Sequence, residues 1–172
     1  MDFNDSPEEA AFRAEVRAWL EANAPRKVPG ASNVSVLEGA TPGQIASSKA
    51  WQKLKAEKGY AAISWPKEYG GMAGNPMQNV IYAQEESQFD VSSDLFTIGI
   101  GFTAPTLMVL GSNAQKTRFI KPALYGEEIW CQLFSEPAAG SDLAGAKTRA
   151  DKDGDSWVVN GSKLFITNAG TD

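Results

Sequence analysis

Along the first part of the chain, apolar residues recur at intervals of three and four, the period of helices buried on one side. Phe12, Val16, Trp19 and Leu20 form the first such stripe. Ser6-Pro7-Glu8-Glu9 opens it as a capping box with proline at the first helical position, and Asn23-Ala24-Pro25 closes it. From Pro25 to Gly43 the residues are small and polar without periodicity, which predicts a long loop. Thr41-Pro42 starts a second helix in which Ala50, Trp51 and Leu54 share a face, with Gly59 as its C-cap. GYAAISWPKEYGGMAGN reads as a structural turn anchored by its aromatics, including Trp65 and Tyr69. Asn75-Pro76-Met77-Gln78 opens a third helix through Met77, Val80, Ile81 and Gln84. Leu95 to Leu110 is apolar nearly all round and contains Pro105, which predicts one packed helix or two short ones, broken near that proline. Ser112-Asn113-Ala114-Gln115 caps a last short helix that ends by Gly126.

Beyond Gly126 the period falls to two. Ile129–Phe134, Lys147–Ala150, Trp157–Val159 and Lys163–Thr167 read as strands, with hairpin signals at Asp153-Gly154 and Asn160-Gly161. In the last of these, alternation puts Lys163, Phe165 and Thr167 on one face. The pattern is therefore α+β: an all-helical domain over 1–126, then antiparallel strands over 127–172. Four short strands with one apolar face need a further layer to cover them, which predicts a fragment or a chain completed by another polypeptide.

Composition narrows the chemistry. A net charge of −5 argues against a general nucleic-acid surface, which needs a basic excess. The chain has no histidine, which removes Ser-His and Cys-His nucleophile pairs and leaves too few ligands for a zinc site. Cys131 is the one cysteine, expected as a small hydrophobe inside a strand, so no intrachain disulfide forms and a reducing compartment suits the chain. The acidic start, MDFNDSPEEAAF, is neither a secretory signal nor a transit peptide, and no stretch nears the ~20 apolar residues of a membrane span. A cytoplasmic protein, or one already processed, is expected.

Two stretches carry candidate chemistry. LFSEPAAGSD places Ser135, Glu136, Gly140, Ser141 and Asp142 directly after an apolar run. It is either a polar turn or a loop whose backbone N–H groups and hydroxyls cradle an anion. KLFITN is either a half-buried strand or an aromatic face with a hydroxyl beside it, suited to a flat heteroaromatic ring. Glu85-Glu86 resembles a carboxylate pair, but adjacent helical residues diverge by about 100°, so a solvated face is expected.

Taken in order, AAISWPKEYGG, YAQEESQF, VLGSNAQKTRFIKPALYGEEIWCQLFSEPAAGSD and DGDSWVVNGSKLFITNAG resemble the acyl-CoA dehydrogenase family over nearly the whole chain. The resemblance implies an N-terminal helical domain followed by the first antiparallel strands of a β-barrel-like middle domain, with the C-terminal helical bundle absent. It implies FAD as cofactor and α,β-dehydrogenation of an acyl-CoA thioester. A glutamate base takes the α-proton, the β-hydrogen leaves as hydride to the flavin, and electrons pass to an electron-transfer flavoprotein. Carried over by position, Gln132, Phe134 and Ser135 border the isoalloxazine ring, Gly140 and Ser141 lie near the pyrophosphate, and Ser141 also lies near CoA. Phe165 packs on the flavin where many relatives have Trp, and Thr167 bonds its polar edge.

No residue matches the catalytic glutamate, which is expected beyond Asp172, so these 172 residues alone are expected to be inactive. Glu136 is expected to fix its loop rather than move a proton. The family pattern further implies a tetramer of like or related subunits, and a matrix location if the source is eukaryotic. The alternatives are a catalytically silent partner subunit or an oxidase-like relative. Asp90 to Leu110 is expected to line part of an acyl cavity, with Gly99 and Gly101 leaving room.

Overall fold

Helix starts in this chain are set locally. In the computed structural model, which describes residues 4–28 and 40–169, four helices open on a complete capping box. They are α1 (Pro7–Asn23) on Ser6 and Glu9, α2 (Pro42–Lys58) on Thr41 and Gln44, α3 (Pro76–Glu86) on Asn75 and Gln78, and α5 (Asn113–Leu124) on Ser112 and Gln115. Each cap satisfies N–H groups that the first turn cannot pair internally, worth about 1 kcal/mol per cap. Gly59 ends α2 with φ +92°, a conformation that favours glycine. The central part of the loop expected between Pro25 and Gly43, residues 29–39, lies outside the described residues.

The chain divides into two units, Met1–Trp130 and Cys131–Asp172. In the first, Phe12, Val16 and Leu20 of α1 bury against Trp51, Tyr60, Ile63, Ile81, Tyr82 and Phe89. Burying side chains of this size stabilises by roughly 1.5–3 kcal/mol each. A second cluster joins Ala56, Ala62, Trp65, Ala104, Ile120 and Leu124.

Tertiary packing overrides several sequence expectations here. The buried face of α3 is Ile81, Tyr82 and Glu85, while Met77 and Val80 stay exposed. In α2, Ala50 is exposed and the buried positions include Ser48, Gln52 and Lys55 beside Trp51. Glu85-Glu86 is not a solvated face. Glu85 is 2% exposed and accepts from Arg17 Nε (2.8 Å), Arg17 Nη2 (2.9 Å) and Arg13 Nη1 (3.1 Å). Glu86 accepts from Trp51 Nε1 (2.9 Å) and Tyr82 Oη (3.1 Å) and pairs with the buried Lys55 (3.3 Å). A carboxylate enters the interior only with such partners, and both have them.

The apolar stretch after Asp94 is one continuous helical run that widens into a π turn at Gly99–Thr103 and continues as α4 (Ala104–Leu110). Of the two expected forms the single run is found: Pro105 comes two residues after the π turn ends, and the helix continues through it to Leu110. Gly99 is buried against Trp130 and Ala123, so it leaves no room for a ligand, whereas Gly101 faces open space.

Among its described residues the second unit holds one hairpin, β1 (Arg149–Asp153) paired antiparallel with β2 (Ser156–Asn160). Its two-residue turn is Gly154-Asp155, with Gly154 at φ +59°. Ile129–Phe134 and Lys163–Thr167 are not strands, since neither finds a ladder partner among the described residues; one backbone bond, from Leu164 N–H to the Ser135 carbonyl (2.9 Å), links the second to the 131–135 stretch. Asn160-Gly161 makes no hairpin either. Gly161 is needed for close approach, as a Cβ there would lie 2.2 Å from Thr148 Oγ1. Cys131 is exposed rather than buried in a strand.

Candidate functional site

The stretch from Cys131 runs extended into a tight turn. Glu136 N–H donates to the Ala139 carbonyl (2.8 Å) and Ala139 N–H donates back (3.1 Å), with Pro137 and Ala138 as the corner. Ala139 is buried beneath the turn. A short 3-10 turn at Leu143–Gly145 follows, and Gly140 between them has nothing within 4 Å of where a Cβ would stand.

From the far end of the unit, residues 163–168 return to the same place. Phe165 takes φ +53° and Asn168 φ +67°. Left-handed backbone is ordinary for Asn but costs a bulky aromatic of order 1–3 kcal/mol, and such strain persists only where surroundings hold it. It also ends the expected strand alternation: Lys163 no longer shares a face with Phe165 and Thr167. Phe165 instead stands 91% exposed.

These two stretches, with the 3-10 turn, border a half-open hollow of about 240 Å³ lined by Gln132, Phe134, Ser135, Gly140, Leu143, Phe165 and Thr167. Six of the residues singled out in the sequence meet here: Gln132, Phe134, Ser135, Gly140, Phe165 and Thr167. Ser141 does not; it is exposed outside the lining. Leu143 was missed, and its only signal is being the first apolar residue after the small-residue loop.

The lining has a clear chemical character. Its polar groups are one amide and two hydroxyls, all neutral donors or acceptors, set among Phe134, Leu143 and Phe165. No lining residue carries a titratable side chain, so the lining itself offers no group for proton transfer. The nearest carboxylate in sequence, Glu136, is fully engaged. It accepts from Lys147 N–H (2.6 Å), Thr148 N–H (3.0 Å) and Lys163 Nζ (2.7 Å). Those bonds, the Lys147 N–H first and Lys163 next, hold its carboxyl well below the usual carboxylate range. A group so held cannot serve as a base near pH 7.

Comparisons with known proteins cover nearly the whole chain. Residues 6–127 match the family model described as the acyl-CoA dehydrogenase N-terminal domain, and residues 131–171 match that of the middle domain. Over 163 residues the chain is 35% identical to acyl-CoA dehydrogenase IpdE1 of Mycobacterium tuberculosis, covering 92% of this chain and 41% of the relative. Among solved structures, the ChsE4-ChsE5 complex of Mycobacterium tuberculosis aligns with a TM-score of 0.68 at 29% identity, covering 95% of this chain and 39% of that one. The Tcur3481-Tcur3483 steroid ACAD aligns with a TM-score of 0.68 at 27% identity, covering 96% and 41%. The chain thus spans about two fifths of the length of these relatives.

Proposed function

This chain belongs to the acyl-CoA dehydrogenase family, and from that premise we propose that the protein binds FAD in the 131–169 hollow and works in the α,β-dehydrogenation of an acyl-CoA thioester, with an electron-transfer flavoprotein as acceptor. The observation that carries the reading is the convergence of Gln132–Ser135 and Phe165–Thr167 on one hollow with neutral donors and bare aromatic faces. At about 240 Å³ it lies below the ~300 Å³ at which pockets begin to hold whole small molecules, so it suits one ring system and leaves the rest of a dinucleotide outside.

The chain's own residues have defined tasks. Phe134 and Phe165 offer ring faces to a planar group and exclude water from it. The Ser135 and Thr167 hydroxyls and the Gln132 amide bond its polar edge, and donors placed there favour negative charge developing on the ring. Gly140 lets a phosphate approach the backbone, with Ser141 as an outer contact to pyrophosphate or CoA. Bound FAD supplies hydride acceptance. Glu136 anchors the loop, and the proton-abstracting carboxylate comes from elsewhere in the assembled enzyme.

Purified full-length protein should carry flavin near stoichiometry, and its visible absorbance should bleach on anaerobic addition of acyl-CoA. A flavin-free protein, or one unbleached by any acyl-CoA, overturns the reading. Oxygen uptake during turnover separates an oxidase from a dehydrogenase. The steroid named for one similar structure makes polycyclic acyl-CoA esters the class to test beside straight-chain ones. A second reading, a silent subunit within a heteromeric assembly, is favoured by the neighbour solved as a two-protein complex and by a hollow lined without a carboxylate. Native mass measurement of the purified assembly, with activity assayed with and without its co-purifying subunit, decides between them. A reducing compartment, cytoplasm or matrix, belongs to the same proposal.

A further inference from the structure

We propose that Glu136 and Lys163 are positioning residues that set the distance between the two walls of the hollow, and so the seating of the ring; this rests on the FAD reading above. One wall, Gln132–Ser135, ends immediately before Glu136, and the other, Phe165–Thr167, begins two residues after Lys163. Lys163 Nζ reaches Glu136 Oε1 at 2.7 Å and lies 3.4 Å from the Phe134 carbonyl. Leu164 N–H donates to the Ser135 carbonyl at 2.9 Å, directly beside that ion pair. The walls thus meet through the Lys163–Glu136 ion pair, the Lys163 bond to the Phe134 carbonyl and one backbone bond, with no strand ladder between them among the described residues.

The same carboxylate ties both walls to the hairpin. Its Oε2 accepts from Lys147 N–H and its Oε1 from Thr148 N–H, just ahead of β1. Two separate stretches, Lys147-Thr148 and Lys163, therefore converge on the two carboxylate oxygens of a third. The pair is well shielded, with side chains 7% exposed for Glu136 and 19% for Lys163. Water and salt weaken it less than a surface pair, and the charge on both partners shortens and strengthens the bond. The roles are unequal: losing Lys163 frees the 165–167 wall alone, whereas losing Glu136 frees both walls from the hairpin.

The test uses the full-length protein and the variants Lys163→Met, Lys163→Arg and Glu136→Gln. Flavin affinity, flavin reduction potential and amide hydrogen exchange are measured for each. Lys163→Met should weaken FAD about tenfold, the loss of one charge-assisted bond, and should shift the potential. Lys163→Arg should restore both. The Leu164 amide should exchange faster in Lys163→Met while Lys147 and Thr148 stay protected, and all three should lose protection in Glu136→Gln. Lys163→Met with unchanged affinity and potential in a flavin-bearing protein overturns the positioning role and leaves the FAD reading standing. Flavin-free wild-type protein overturns the FAD reading, and the positioning role with it. An unprotected Leu164 amide in the wild-type protein overturns the positioning role without any variant.

Discussion

Glu85 sits with 2% of its surface exposed, yet its partners Arg13 and Arg17 have side chains 22% and 49% exposed. The asymmetry predicts unequal costs. Arg17→Ala strips two of the three bonds from the buried carboxylate and should cost about 2–3 kcal/mol, because a buried charge left short of partners keeps its desolvation penalty. Glu85→Ala leaves only guanidiniums that can rehydrate and should cost less, about 1–2 kcal/mol. Urea unfolding of both variants checks the ranking. Bonds from Arg17 first, then Arg13, hold the Glu85 carboxyl below its usual 4.5. A folded pKa lowered in this way stabilises fully above the unfolded value and is lost as pH falls below it. The gap between wild type and Glu85→Gln should therefore be constant near pH 7 and shrink below about pH 4.5. None of this was legible locally, since Arg17 and Glu85 stand 68 residues apart and a charged pair of neighbours on a helix ordinarily faces water.

Element geometry depends on where a side chain has room. In the turn after α2, a Cβ on Gly71 would lie 2.0 Å from the Trp65 carbonyl oxygen, a backbone clash that no rotamer relieves. Gly71→Ala should destabilise by about 2–3 kcal/mol. Gly101, in the π turn, has open space, and Gly101→Ala should be neutral or stabilise by up to about 1 kcal/mol through a stiffer unfolded chain. Thermal melts should show a lowered midpoint for Gly71→Ala and an unchanged or raised one for Gly101→Ala. In the second unit, Gly161→Ala should displace Thr148 and with it the N–H bonded to Glu136, read as faster exchange at Lys147 and Thr148. The helix starts at Ser6, Thr41, Asn75 and Ser112 were readable because a cap is decided within four residues. The strand at Lys163–Thr167 was misread because alternation alone does not supply a ladder partner, and Phe165 turned left-handed instead.

At the scale of the whole molecule, the two units differ in what holds them. Met1–Trp130 has extended apolar clusters, whereas Ala139 is the one buried residue among the described positions from 131 onward. Both strands of the hairpin are exposed throughout, Trp157 included. Ligand binding should therefore matter most to the second unit. FAD at 100 times its dissociation constant should add about 2.7 kcal/mol to the opening free energy of residues 131–169. Amide exchange with and without FAD measures it; protection gained only in Met1–Trp130 would contradict the assignment.

The sequence by itself determined the helix starts, the α+β order, a tight hairpin at Gly154 and the family, because caps, turns and motifs are short-range signals. It also named six of the seven residues that line the hollow, through motif position rather than through any local rule. Only the tertiary structure decided that Glu85 and Lys55 are interior, that Ser141 stands outside the hollow, and that Glu136 is held by Lys163 from 27 residues away. Such pairings form because desolvating a charge is costly until a partner arrives. That partner is chosen by packing in three dimensions, which periodicity along the chain does not encode.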